Sequence, residues 1–203
     1  MFSSKRVYAA LVGASFMAIA GQASAFVIDF NSHTNDLGTP IDEAGFRFDY
    51  SAAGWGVLED SFSFSPPFVQ NGTTRSVMAG DRDGHTAQVS FKPIDDSAFT
   101  LGGLDGAVAF VGRRGEMEVI GNFEGGGSIS TKFTLTDSFA TFALSGYNNL
   151  DSVLVRSTVP GVFPDDPGVS LDNIVINPVP EPATIAAIGM GLAILAKRRK
   201  ASK

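Results

Sequence analysis

Between residues 26 and 178, apolar side chains recur at every second position in short runs. Phe26-x-Ile28-x-Phe30, Phe46-x-Phe48-x-Tyr50, Phe62-x-Phe64, Val89-x-Phe91 and Val108-x-Phe110 follow this period. So do Met117-x-Val119, Phe133-x-Leu135, Phe142-x-Leu144, Val153-x-Val155 and Ile174-x-Ile176. A period of two lines up one set of side chains on one face of a strand, so each run predicts a strand with one buried face. Turn formers separate the runs: Asn71-Gly72, Asp83-Gly84, Asp105-Gly106, Gly125-Gly126-Gly127, Asn148-Asn149 and Asp165-Asp166-Pro167-Gly168. No segment keeps a helical period. Short strands at this spacing predict an all-β body, a single two-sheet antiparallel sandwich. Phe48, Phe91, Phe110, Phe133 and Phe142 are expected between its sheets.

The two ends follow other patterns. Lys5 and Arg6 precede an uncharged apolar run of 14 residues, Val7–Ala20, which leads to Ala23-Ser24-Ala25. A positive start, a short apolar stretch and small residues at Ala23 and Ala25 predict a signal peptide over 1–25, cut by signal peptidase after Ala25. At the other end Val179-Pro180-Glu181-Pro182 leads into the apolar run Ala183–Ala196 and then Lys197-Arg198-Arg199-Lys200. Fourteen helical residues reach about 21 Å, against a hydrocarbon core of about 30 Å. A short transmembrane helix is expected there, with its basic end cytoplasmic and the body outside. The domain organisation is thus 1–25, a body over 26–178, and a tail over 179–203.

Charge sharpens that division. The chain of 203 residues carries −6 overall, but 8 basic against 20 acidic residues leave 26–178 at −12. An acidic body lacks the clustered Lys and Arg that nucleic acid requires, so no nucleic-acid partner is expected. The absence of cysteine excludes disulfides, thiolate metal sites and cysteine nucleophiles.

The order Pro180-Glu181-Pro182, apolar helix, basic cluster, chain end resembles the PEP-CTERM sorting signal. The resemblance implies recognition and processing at Pro-Glu-Pro by an exosortase, an integral-membrane transpeptidase. It implies an inner-membrane-anchored precursor and then a place at the envelope surface or in an exopolysaccharide matrix. In the body, Ser170-Leu171-Asp172-Asn173-Ile174-Val175-Ile176 resembles the closing strand of jelly-roll domains such as carbohydrate-binding modules, and Phe26–Asn31 resembles their first strand.

Candidate chemistry in the body is sparse. There is no G-x-S-x-G elbow and no histidine pair at metal-ligand spacing; His33 and His85 read as exposed loop residues. Glu116-x-Glu118 reads as the solvent face of a strand whose other face is Met117 and Val119. Asp81-x-Asp83-Gly84 starts like a calcium loop but lacks its continuation. Trp55, set between two glycines, and Tyr147, in a polar loop, are candidate platforms for stacking on a sugar ring. The jelly-roll resemblance implies a structural calcium ion where the first and last strands meet, with Asp29 and Asp172 as its ligands. The expected function is a noncatalytic exported protein of the cell surface or extracellular matrix. The alternatives are an exopolysaccharide-binding module and, further off, a glycan-active enzyme using carboxylates.

Overall fold

The computed structural model describes residues 24–38, 40–50, 54–62, 67–78, 86–158 and 168–178, and of Trp55 the backbone alone. Ala25–Pro178 is one compact unit. It contains twelve strands and no helix among the described residues. In chain order they are β1 (Phe26–Ile28), β2 (Ile41–Glu43), β3 (Phe46–Tyr50), β4 (Gly54–Leu58), β5 (Arg75–Met78) and β6 (Gln88–Pro93), followed by β7 (Phe99–Ala107), β8 (Gly115–Phe123), β9 (Ser128–Leu135), β10 (Ala140–Ala143), β11 (Leu150–Ser157) and β12 (Val169–Pro178).

Every pairing is antiparallel. One sheet runs β2-β3-β6-β11-β8-β9. The other runs β10-β7-β12-β5-β4, with β1 beside β5 along β12. A single residue pair, Leu150↔Phe99, joins them through β11 and β7. The result is the predicted all-β sandwich. Its core follows the predicted alternation where a strand has one wet face. Phe46, Phe48 and Tyr50 of β3 point inward against Val89 and Phe91 of β6, while Arg47 and Asp49 point out. Phe91 stacks on Phe48 with ring centroids 5.1 Å apart and meets Phe46 and Phe99 edge-on or tilted. Gly121 admits Tyr147 and Leu150, since a Cβ there would sit 2.9 Å from each.

Several expectations need correction. Phe133 and Phe142 are half-buried at a sandwich margin, packed on each other at 4.6 Å, rather than sealed between sheets. Val108–Phe110 is no alternating strand: all three residues are buried, Val108 in the main core, and Ala109 and Phe110 under a second layer, which takes Phe110 out of its expected place between the sheets. That layer is the connection from β4 to β5, residues 59–74, of which 63–66 lie outside the described residues. Phe62 belongs to this connection and not to a strand. Phe62 and Phe68 pack with Leu58, Val77, Ala109 and Phe110 into a small second core on the outer face of β5. Asp105-Gly106, expected as a turn, lies inside β7.

The first and last strands of the body are neighbours, with Phe26 opposite Ile176. Both chain ends therefore leave the sandwich at one end. A shallow, mostly apolar cavity of about 190 Å³ opens there, lined by Phe26, Phe46, Pro93, Phe99 and Ile176.

Candidate functional site

The densest polar chemistry lies beneath the 59–74 connection. Register builds it: Thr141 pairs with Asp105, Asp105 with Asp172, and Arg75 with Leu58. Leu171 pairs with Ser76, so the next position sets Asp172 beside Arg75. One row thus crosses the outer face of the second sheet, from exposed Thr141 to buried Leu58. Strand β12 is bulged after Asp172, and Asn173 takes a left-handed φ of 46°, a conformation Asn tolerates better than most residues.

Arg75 and Asp172 are both 0% exposed. Burying such charges is costly unless they are paired and hydrogen-bonded. The Arg75 Nη1 donates to Asp60 Oδ1 at 3.0 Å. Asp60 also accepts from the amides of Asn71 and Gly72. Asp172 Oδ2 accepts from Asn71 Nδ2 at 2.6 Å and from Thr73 Oγ1 at 2.8 Å. Its Oδ1 accepts from the Asn173 amide at 2.7 Å. Burial raises the Asp172 carboxyl above its ordinary value, against the lowering effect of these hydrogen bonds. Burial likewise lowers Arg75, against the field of Asp60 and Asp172. The cluster clamps the 59–74 connection onto β5 and β12. It is a structural tie, with Arg75 and Asp172 sealed from solvent.

The two residues expected as calcium ligands, Asp172 and Asp29, have protein partners in the structure. The Asp172 carboxylate is held by Asn71, Thr73 and the Asn173 amide. Asp29 follows β1 rather than lying in it, and its Oδ1 accepts from the Asn31 amide at 3.2 Å. Among the described residues no group of three or more His, Cys, Asp or Glu side chains forms a metal-binding cluster.

Tyr147 is also not the exposed platform expected. It is 1% exposed, and its hydroxyl donates to the Val119 carbonyl at 2.8 Å, with Thr131 Oγ1 at 3.1 Å. A ring enclosed in this way has no face for a sugar. Tyr147→Phe should destabilise the body by about 0.5–1.5 kcal/mol, the net worth of one buried hydrogen bond, since the Val119 carbonyl keeps its place in the β8–β9 ladder; chemical denaturation measures it. The Trp55 side chain lies outside the described residues, as do Asp81, Asp83 and His85.

The other candidates are engaged. His33 is not exposed; its ring is mostly enclosed between Asp36, at 3.4 Å from Nδ1, and Glu43, at 3.1 Å from Nε2. Glu118 sits in the fork of Arg156, with Nε at 2.9 Å and Nη2 at 2.7 Å from Oε2. That hydrogen-bonded pairing holds its carboxyl below the ordinary value. Glu116 accepts from Thr158 Oγ1 and lies 3.4 Å from Lys132 Nζ. Of the terminal residues, exposed Ala25 directly precedes β1, while Ala23, Pro180, Glu181 and Pro182 lie outside the described residues. The expected transmembrane helix lies outside them too.

Among solved structures, the chain is similar to TmCBM61 in complex with β-1,4-galactotriose, at 11% identity over 74% of this chain and 94% of that one, with a TM-score of 0.42. It is similar to the K2 cleaved adhesin domain of Lys-gingipain, at 13% identity over 75% and 99%, with a TM-score of 0.48. It is also similar to the family 11 carbohydrate-binding module from Clostridium thermocellum in complex with a β-1,3-1,4-mixed-linked tetrasaccharide, at 12% identity over 79% and 99%, with a TM-score of 0.43. No curated protein matches the chain. The PEP-CTERM protein-sorting motif matches residues 178–200, beginning at the last residue of the last strand.

Proposed function

We propose that this is a noncatalytic exported protein of the cell surface or extracellular matrix, delivered by its N-terminal signal peptide and sorted by an exosortase acting at Pro180-Glu181-Pro182. The observation that carries the proposal is the position of the motif. It begins at residue 178, the last residue of β12, where the body ends. Every strand of the body finds its partner within 26–178, so a cut after that point costs the sandwich no strand. The apolar run Ala183–Ala196 and the basic cluster behind it would hold the precursor in the inner membrane, body outward, until that cut.

Two features of the body support the noncatalytic part. Its buried carboxylate, Asp172, has both oxygens occupied, and Glu118 is held by Arg156. Neither is free to serve as the general acid or base that glycan hydrolysis requires. With Tyr147 enclosed, polysaccharide binding retains Trp55 as its one aromatic candidate from the sequence.

Replacing Pro180, Glu181 and Pro182 together by Ala tests the sorting step in the native host. The apolar run and basic cluster remain, so the variant is expected in the inner-membrane fraction with its tail intact. Delivery of the variant to the surface in the same yield as the parent would exclude the motif as the sorting determinant.

A further inference from the structure

The two lateral margins of the sandwich are closed differently. On one side the sheets end in β2 and β4, and the β1–β2 connection crosses between them. Val57 N donates to the Asp36 carbonyl at 3.0 Å, and Glu59 N donates to Asn35 Oδ1 at 3.0 Å. On the other side the sheets end in β9 and β10. Ile129, Phe133, Phe139, Phe142 and Leu144 line that margin, packed on the core but each still partly exposed.

Strand β9 bounds this apolar seam with an open backbone edge. In the β8–β9 hairpin, Phe123 N donates to the Gly127 carbonyl at 3.1 Å. Hydrogen-bonded pairs alternate along an antiparallel ladder. From Phe123/Gly127 they therefore fall at Gly121/Ile129, Val119/Thr131, Met117/Phe133 and Gly115/Leu135, all of them in register. The N–H and C=O groups of Ser128, Ser130, Lys132 and Thr134 then point away from β8. None of these eight groups has another backbone partner among the described residues. The edge carries no proline and no bulge. Its one charge, Lys132, lies beside Glu116. Long edges of this kind are templates for another strand.

We infer that the β9 edge is a docking surface for a second copy of this chain, paired antiparallel about a two-fold axis through Thr131. Side chains facing each other across a ladder must share a sheet face, which limits the axis to whole-residue centres. Centring on Lys132 sets two lysines directly opposite, a destabilising pair. Centring on Ser130 leaves Thr134 beyond the end of the partner strand. Centring on Thr131 sets Ser130 against the partner's Lys132 and Ser128 against the partner's Thr134, which uses all eight outward groups of each strand. It also sets Ile129 against the partner's Phe133 on the inner face, and so covers the open seam from both sides. The inference does not depend on how the tail is sorted.

Ala25–Pro178 is one compact unit, and every strand and core residue among the described residues lies in it, so purified residues 26–178 serve for the test. Sedimentation velocity across concentrations up to about 100 μM should find a reversible dimer with micromolar dissociation. Ser130→Lys places a lysine opposite the partner's Lys132 twice per dimer and should weaken association at least about tenfold. Its circular dichroism, and its melting at concentrations where the parent is monomeric, should stay those of the parent, because residue 130 is exposed. The exchange Ser130→Lys with Lys132→Ser returns each lysine to a position opposite serine and should restore the dimer. A body that stays monomeric throughout the range overturns the inference. So does a dimer that Ser130→Lys leaves unchanged, since it must use another surface.

Discussion

Asp172→Ala should lower the unfolding free energy of the body by about 3–5 kcal/mol, the range for removing one member of a buried charged network. Three donors lose their acceptor at once: Asn71 Nδ2, Thr73 Oγ1 and the Asn173 amide. Arg75, 0% exposed, keeps only the Asp60 carboxylate that its Nη1 already contacts. The 59–74 connection loses its tie to β12, so its amides should exchange with solvent faster in the variant. The same melts, run with calcium and with a chelator, distinguish this tie from the metal site first expected from the sequence. Coincident parent curves are the expected result, because both Asp172 oxygens already have partners. A parent that melts higher in calcium, by an increment absent from Asp172→Ala, would return the ion to this place.

Phe91→Ala should have an effect of the same order, about 3–5 kcal/mol, from lost apolar contact and the cavity left behind. Phe91 is 1% exposed and touches the rings of Phe46, Phe48 and Phe99, which span both sheets. Phe133→Ala provides the contrast. Phe133 is half-buried at the open margin and should cost distinctly less. Equal losses in the two variants, measured by urea denaturation, would contradict the placement of the core centre around β3, β6 and β7.

The same contrast explains which strands were legible in the sequence. Strands β3, β6 and β11 have one wet and one dry face, and their alternation stands out. Strand β5 reads Arg-Ser-Val-Met and is buried at all four positions, because the 59–74 connection covers its outer face. A strand dry on both faces has no period to detect, and an arginine within it looks like surface. Strand β7 was hidden differently. Gly102, Gly103 and Gly106 stand where side chains would mark the faces, and at Gly103 a Cβ would come within 2.7 Å of the Phe142 carbonyl oxygen. Glycine is there for close approach, while in sequence Asp105-Gly106 resembles a turn.

The candidate site was less legible than the fold. Asp172 stood out as an acidic residue in an apolar strand, but its partner Asn71 lies 101 positions away. Only the tertiary fold brings the two together. Tyr147 was misjudged because its neighbours Ser145, Gly146, Asn148 and Asn149 are polar or small, whereas its ring turns inward over Gly121. The terminal motif had the opposite character. Its information is local, so residue order alone carried it, and the match over 178–200 contains the Pro-Glu-Pro motif, the apolar run and the basic cluster.

The termini of the mature protein test the central proposal most directly. Mass spectrometry of the surface or matrix fraction should find the body beginning at Phe26, with no peptide from Ile185–Lys203. Recovery of mature surface protein that still carries Lys197-Arg198-Arg199-Lys200 would contradict sorting by cleavage at the Pro-Glu-Pro motif.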